Sequence, residues 1–367
     1  MTQDALGDGN RRPLIESVQV MRGLAALAVA VYHTNLILQK PGYGGRDILH
    51  ALSSKGWLGV NFFFVLSGFI IMFAHKRDIG KPSALPRYVW RRIVRLYPIY
   101  WLCLTVYLAA AFVGLGYPDF SWGLANIASA YLLVPLTQDL SLPLRVVWTL
   151  LYEVAFYAAF AVLIINRAVG IALFGVWFVA IMAFGVWAGE AEISVFHTWN
   201  LTFLFGVFTY LLSERLSERH GLPILFAGVA LLVCMLVLGA GDKLAAAQRS
   251  PLLVLALAVP FALILLGAAL SERARGWRFP PILMLLGSAS YAIYLVHSPV
   301  ISIMAQVQFK LFGNGLPGLL VFGVITFASV AAGVLVHLLV ERPLLDSLRT
   351  HWTLPGRAAR RRDVREA

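Results

Sequence analysis

Two ionisable residues share one apolar stretch: Arg22 and His33 in MRGLAALAVAVYH. Their separation is close to three helical turns, so on a helix both project from nearly one face, about 16 Å apart along the axis. Holding such groups among hydrocarbon costs about 2.5–3.5 kcal/mol each on insertion scales, which makes them functional candidates. A second stretch, WTLLYEVAFY, places Glu153 about five residues in from what would be the outer membrane surface, a depth expected to match His33. A carboxylate beside an imidazole either orients a general base or only neutralises a second buried group. In GVNFFFVLSGFII, Asn61 sits near the same expected depth, where its amide could donate to a developing oxyanion, and Ser67 lies about mid-depth. Ser67 is read either as part of a polar site or as a residue bonded to its own helix.

Two more clusters complete the set. RYVWRRIVRLYPIYW carries Arg87, Arg91, Arg92 and Arg95, with Arg92 and Arg95 one turn apart. Such a run fits membrane topology and lipid headgroups, and its guanidinium forks also match phosphate oxygens. SASYAIYLVHSP puts Ser290, Tyr291, Tyr294 and His297 at helical spacing on one stripe, which argues for a face toward a polar cavity. Glu341, in VERP, is expected to pair with an arginine of the cationic run.

The elements that position these residues follow from composition. The chain of 367 residues is 60% hydrophobic and only 13% charged, too few charges to cover a water-facing surface. Its mean hydropathy is +0.78. The fold expected is all-α and polytopic, with ten transmembrane helices near 15–38, 57–74, 96–115, 148–165, 169–188, 196–212, 222–240, 251–270, 286–308 and 316–340. Arg11 and Arg12 could pass for the start of a signal peptide, but the apolar run that follows is long and carries Arg22, so it is read as a retained span. Of the 30 lysines and arginines, 22 fall in the N-terminal segment 1–14, the chain from 341 onward, which includes the C-terminal segment 346–367, and the loops on their side. Seven fall opposite, so both termini are expected in the cytoplasm. The segment 120–135 is too short to span and is expected to be interfacial or re-entrant. The net charge of +12 is explained by orientation and by contact with anionic lipid rather than by nucleic acid. Cys103 and Cys234 have no metal-ligand spacing, and no metal site is expected.

In combination these stretches resemble the acyltransferase 3 family of membrane enzymes that O-acylate surface polysaccharides. The match runs over roughly 15–345: RGLAALAVAVYH, GVNFFFVLSGFII, RRIVRLYPIYW, WTLLYEVAFY, FLFGVF, LGSASYAIYLVH and VERPL, in family order. The first of these is similar to the exopolysaccharide acetyltransferase branch. The family's Arg–ten residues–His motif falls on Arg22 and His33, its RxxR motif on Arg92 and Arg95, and its fourth-span acid on Glu153. Many relatives carry an extracytoplasmic esterase-like domain after the last span, and no such segment is seen in this sequence.

The resemblance implies an acyl-CoA donor, acetyl-CoA by default, entering from the cytoplasm of a bacterial inner membrane. It also implies a polysaccharide or lipid-linked oligosaccharide acceptor, and polysaccharide-synthesis proteins as partners. On that reading Arg22, Arg92 and Arg95 hold the CoA phosphates, and His33 is the base or forms an acyl-imidazole. Glu153 orients His33, Asn61 or a tyrosine stabilises the oxyanion, and Ser67, Tyr291, Tyr294 and His297 line the substrate path. The other class considered is a multi-pass transporter of a solute or lipid-linked sugar, although no related halves are visible.

Overall fold

The computed structural model describes residues 15–113, 120–137, 140–187, 195–239 and 251–350. The expected N-terminal tail, 1–14, lies outside the described residues, as do Lys243, Arg249 and residues 351–367 of the expected tail 346–367, whose first five residues continue a helix. The described secondary structure is helical: α1 Glu16–Leu38, α2 Leu58–His75, α3 Leu85–Phe112, α4 Leu124–Leu132, α5 Trp148–Ile165, α6 Arg167–Trp187, α7 Trp199–Ser213, α8 Gly221–Leu238, α9 Pro251–Arg275, α10 Pro281–Phe312, α11 Gly318–Val336 and α12 Arg342–Thr350. A π-helical turn, His337–Glu341, joins the last two.

Nine helices among the described residues are long and apolar enough to cross a membrane, one fewer than expected. The difference is α7, whose 15 residues reach about 22 Å. Its length is limited by the turns at 195–198 on one side and at Glu214 on the other. It nevertheless runs beside α2 in the same direction. Phe64 meets Trp199 and Phe203, and further along Phe69 and Phe73 both meet Tyr210. The approach depends on glycine: a Cβ on Gly206 would lie 1.8 Å from the Val65 carbonyl oxygen, and one on Gly68 would lie 1.9 Å from that of Phe203. Small residues at such crossings let backbones touch where no hydrophobic drive exists between helices.

The parallel run of α2 and α7 also settles the segment at 120–135. One extra crossing there would reverse α7 against α2. Instead α4 is nine residues long and folds back along α3. Tyr97 and Tyr100 donate hydroxyls to the Leu132 and Ala130 carbonyls, and the Trp101 indole N–H donates to Tyr131. The turn out of α4 places Leu133 at φ 56, with the Ser129 hydroxyl accepting from the Leu136 N–H. The segment is therefore re-entrant, and the chain that follows it, with Leu142, Leu144, Val146 and Val147 buried, starts α5 well inside the bundle.

α1 and α10 form the axis of the site. They pack side by side, and Gly287 lies so close to α1 that a Cβ would meet the Gln19 carbonyl oxygen at 2.1 Å. Glu272, on α9, caps the start of α1 by accepting from the Glu16 and Ser17 N–H groups. Gln19 and Asp346 line one cavity, so the beginning and end of the described chain lie at the same end of the bundle.

Candidate active site

The cationic run is helical and forms the first turns of α3, where its members separate by face. Arg87 stays at the surface, paired with Asp78 at 2.9 Å, and Arg91 is exposed. Arg92 and Arg95 turn inward, so they are not the surface cluster their sequence position suggested. The Arg92 guanidinium lies 5.6 Å from the Tyr157 ring and 6.0 Å from the Tyr88 ring, which favours a cation over the aromatic faces. Arg95 lies 5.4 Å from the Tyr291 ring and is ion-paired to Glu341 at 2.8 Å, the partnership expected of that acid. Glu341 is fully buried and also accepts from His337 one turn earlier, 2.7 Å away.

These side chains bound a cavity of about 130 Å³ inside the helices. Arg22, Arg92, Arg95, Glu153, Ser67, Tyr291 and Tyr294 all line it, as do Tyr157 and Ser290. The Tyr157 hydroxyl donates to Glu153, and the Ser290 hydroxyl has no hydrogen-bond partner among the described residues. A second cavity of about 440 Å³ opens at the arginine-rich end, lined by Gln19, Ser288, His337, Arg342 and Asp346. Arg22 and Arg95 belong to both linings, so two guanidiniums stand where the outer vestibule meets the inner cavity. Three arginines against Glu153 and the Glu341 paired to Arg95 leave one positive charge in excess around the inner cavity, a setting suited to an anion.

Three expected site residues lie elsewhere. Asn61 is on α2, which lines the cavity with Val60, Phe63, Phe64, Leu66, Ser67, Ile70 and Ile71. It falls about 100° round the helix from Val60, on the stripe of Val65 and Gly68 that meets α7. It is fully buried there, with neither amide atom bonded among the described residues, and it does not face the cavity as an oxyanion donor.

His33 and His297 form the second departure. They face each other across α1 and α10, with His297 Nε2 3.2 Å from His33 Nδ1 and ring centroids 5.0 Å apart. Neither lines the two cavities. Glu153 is not the partner of His33. It sits on the inner cavity, close enough to Arg22 to act on its charge. The reason is the re-entrant segment: Tyr294 of α10 donates to the Val146 carbonyl and shares a 2.8 Å hydrogen bond with Thr149, so α5 begins level with Tyr294. Glu153 lies a further turn toward the arginines, whereas His297 lies a turn in the opposite direction. Counting from helix ends placed the acid too near the outer surface.

Tyr294 is the wall between the two regions. It closes the inner cavity, and its ring lies 5.9 Å from that of His297. Tyr291 is fixed by donating to the Leu96 carbonyl at 2.8 Å. Tyr157 and His337 were not identified from the sequence. Tyr157 and His337 each lie four positions from an acid already singled out, which is the signal that would have found them. Among the described residues no group of three or more His, Cys, Asp or Glu could hold a metal ion.

A membrane-embedded helical bundle with a buried cationic cavity is the setting in which the comparisons with known proteins fall. The acyltransferase domain family matches residues 15–338, and the chain belongs to that family, acyltransferase 3. It is 31% identical over 316 residues to the exopolysaccharide production protein ExoZ of Rhizobium meliloti (strain 1021), covering 83% of this chain and 94% of that protein. It is 34% identical over 85 residues to a candidate acetyltransferase of Acidianus two-tailed virus, covering 23% and 22% of the two chains. No solved structure matches it.

Proposed function

We propose that this protein is an O-acetyltransferase of the bacterial inner membrane. It moves an acetyl group from cytoplasmic acetyl-CoA, or a related acyl-CoA, to a hydroxyl of a polysaccharide or lipid-linked oligosaccharide. The observation that carries this reading is the junction of two cavities at Arg22 and Arg95. The vestibule, with Arg342 and His337, is the place for the phosphorylated nucleotide of CoA. Arg22, Arg92 and Arg95 hold the pyrophosphate, and the narrow inner cavity takes the uncharged arm toward Tyr294. Both termini then lie in the cytoplasm, on the side from which the donor comes. The name of the rhizobial relative supports a polysaccharide acceptor, and polysaccharide-synthesis proteins are the natural partners.

At the reaction centre His33 removes the proton from the acceptor hydroxyl, whose oxygen attacks the thioester carbonyl. A carbon–oxygen bond forms, the carbon–sulfur bond breaks, and the CoA thiolate takes the proton from His33. The thioester reaches His33 past the Tyr294 side chain, whose hydroxyl hydrogen is held by the Val146 carbonyl. Ser67 and Tyr291 line the approach.

The test is transfer of label from [14C]acetyl-CoA in inverted vesicles that contain the native glycan precursors, with wild-type protein or His33→Ala. Label reaching glycan only with the wild type supports the reading. Absence of any acyl-CoA binding by either protein overturns it in favour of a transporter.

A further inference from the structure

We propose that His297 is a positioning residue for His33: together with the Val29 carbonyl, its Nε2 accepts the His33 Nδ1–H and holds the ring in the orientation and tautomer whose Nε2 is free to act as base. This is the part the sequence reading assigned to Glu153. The kinetic side of the proposal rests on the acyltransferase reading; the pairing itself does not.

Three contacts define the arrangement. His33 Nδ1 lies 3.0 Å from the Val29 carbonyl oxygen, one turn back on α1. His297 Nδ1 lies 3.0 Å from the Ile293 carbonyl oxygen, in the same relation on α10. His297 Nε2 lies 3.2 Å from His33 Nδ1. A carbonyl only accepts, so each neutral ring making its bond must carry the hydrogen on Nδ1. That leaves a lone pair on His297 Nε2, directed at the His33 Nδ1–H, which is shared between this nitrogen and Val29. The opposite tautomer of His33 would set its bare Nδ1 against the Val29 carbonyl. The remaining contact would then need a hydrogen on His297 Nε2, and in a neutral His297 that would break the bond to Ile293. Only one pair of neutral tautomers satisfies all three contacts.

The consequence falls on the other face of the ring. His33 Nε2 is unprotonated and has no protein partner among the described residues, as a general base requires. When Nε2 takes the hydroxyl proton, the Nδ1–H of the cation strengthens its bond to His297. His297 is itself held rigidly, buried on α10 where that helix packs against α1. A neutral imidazole here avoids placing a carboxylate between the donor thioester and an incoming glycan. Glu153 is left to balance the arginines of the cavity.

The experiment compares His297→Leu and His297→Gln in the full-length protein, with donor affinity measured beside turnover. Leucine removes the acceptor, whereas the glutamine amide oxygen reaches about the same position as Nε2. We expect His297→Leu to lower kcat about 10–100-fold, a part of the ~10²–10⁴ that a general base supplies. Affinity for acetyl-CoA should not change, and His297→Gln should recover most of the rate. Retained donor binding also shows that the variants fold. Nitrogen-15 spectra of histidine-labelled protein, with His33→Asn assigning the signal, should report His33 protonated at Nδ1 in the wild type. In His297→Leu the hydrogen should stay on Nδ1, held by the Val29 carbonyl alone, and its signal should move because one of its two acceptors is gone.

The proposal is overturned if glutamine is as slow as leucine, if the loss appears in donor affinity instead, or if His33 carries its hydrogen on Nε2. If acetyl-CoA is not consumed by the wild type yet the nitrogen signature behaves as expected, the pairing stands and the acyltransferase reading is what fails.

Discussion

The two ends of the site are built by opposite rules. At the arginine end, charge is concentrated and mostly matched: Arg95 is tied to Glu341, and Arg22 lies near Glu153. At the histidine end, two imidazoles face each other with no carboxylate between them. Tyr294 separates the two environments. A charged region suits binding of an anion, because guanidiniums keep their charge and geometry whatever occupies them. A neutral region suits proton transfer, because an imidazole there gains charge only when it takes a proton. The separation predicts that substitutions at the two ends fail in different ways.

The largest effect belongs to the histidine end. His33→Ala should lower turnover by about 10²–10⁴-fold with acetyl-CoA affinity retained, read as product formation against direct binding of the donor. Equal loss of donor affinity would merge the two regions into one.

At the arginine end, Arg95→Ala should weaken donor binding and also leave the buried Glu341 carboxylate without its guanidinium. Breaking a buried pair from one side costs about 3–5 kcal/mol. Arg95 is partly exposed, so a smaller loss is expected, seen as a lower thermal midpoint in detergent. The double variant Arg95→Ala/Glu341→Gln should restore the midpoint and not the affinity. Recovery of both would mean that Arg95 serves only the ion pair.

Glu153→Gln follows in size and bears most directly on the comparison. Removing a carboxylate from among three arginines should alter donor affinity, measured as KM for acetyl-CoA, more than kcat. A pure kcat loss matching His33→Ala would restore Glu153 as the partner of His33.

How much of this was legible in the sequence depends on what each inference rested on. Arg22 and His33 were placed by counting along one uninterrupted helix, where geometry is fixed, and both remain on one line of α1. The Arg95–Glu341 pair followed from electrostatics at a common membrane depth. Glu153 and Asn61 needed information that does not lie along the chain. For Glu153 it was the depth at which α5 starts, decided by how far the segment 120–135 re-enters, which a residue count does not give. For Asn61 it was the face of α2 that the glycine contacts with α7 occupy. The His33–His297 pair joins residues 264 positions apart, and only the close packing of α1 on α10 brings them together.

The smallest expected effect tests whether the histidine end can be disturbed from its own rim without touching the donor site. Asp47 lies between α1 and α2 and accepts from Asn35, two positions beyond His33, and from Gln39, each at 2.9 Å. The bond from Asn35 holds its carboxyl below the usual range, with Gln39 and His50 adding to the effect. A carboxyl lowered on folding stabilises the protein above its unfolded value, near 4 for aspartate, and this contribution disappears as pH falls through the folded value. The group is open to solvent, so its worth is below about 1 kcal/mol. Asp47→Asn should therefore lower the thermal midpoint slightly at pH 7, and the gap to wild type should close as the pH drops below about 4. A gap that persists at low pH would assign the effect to hydrogen bonding alone. Donor affinity should be the same in both proteins, because Asn35 and its loop belong to the end of the molecule where binding is not decided.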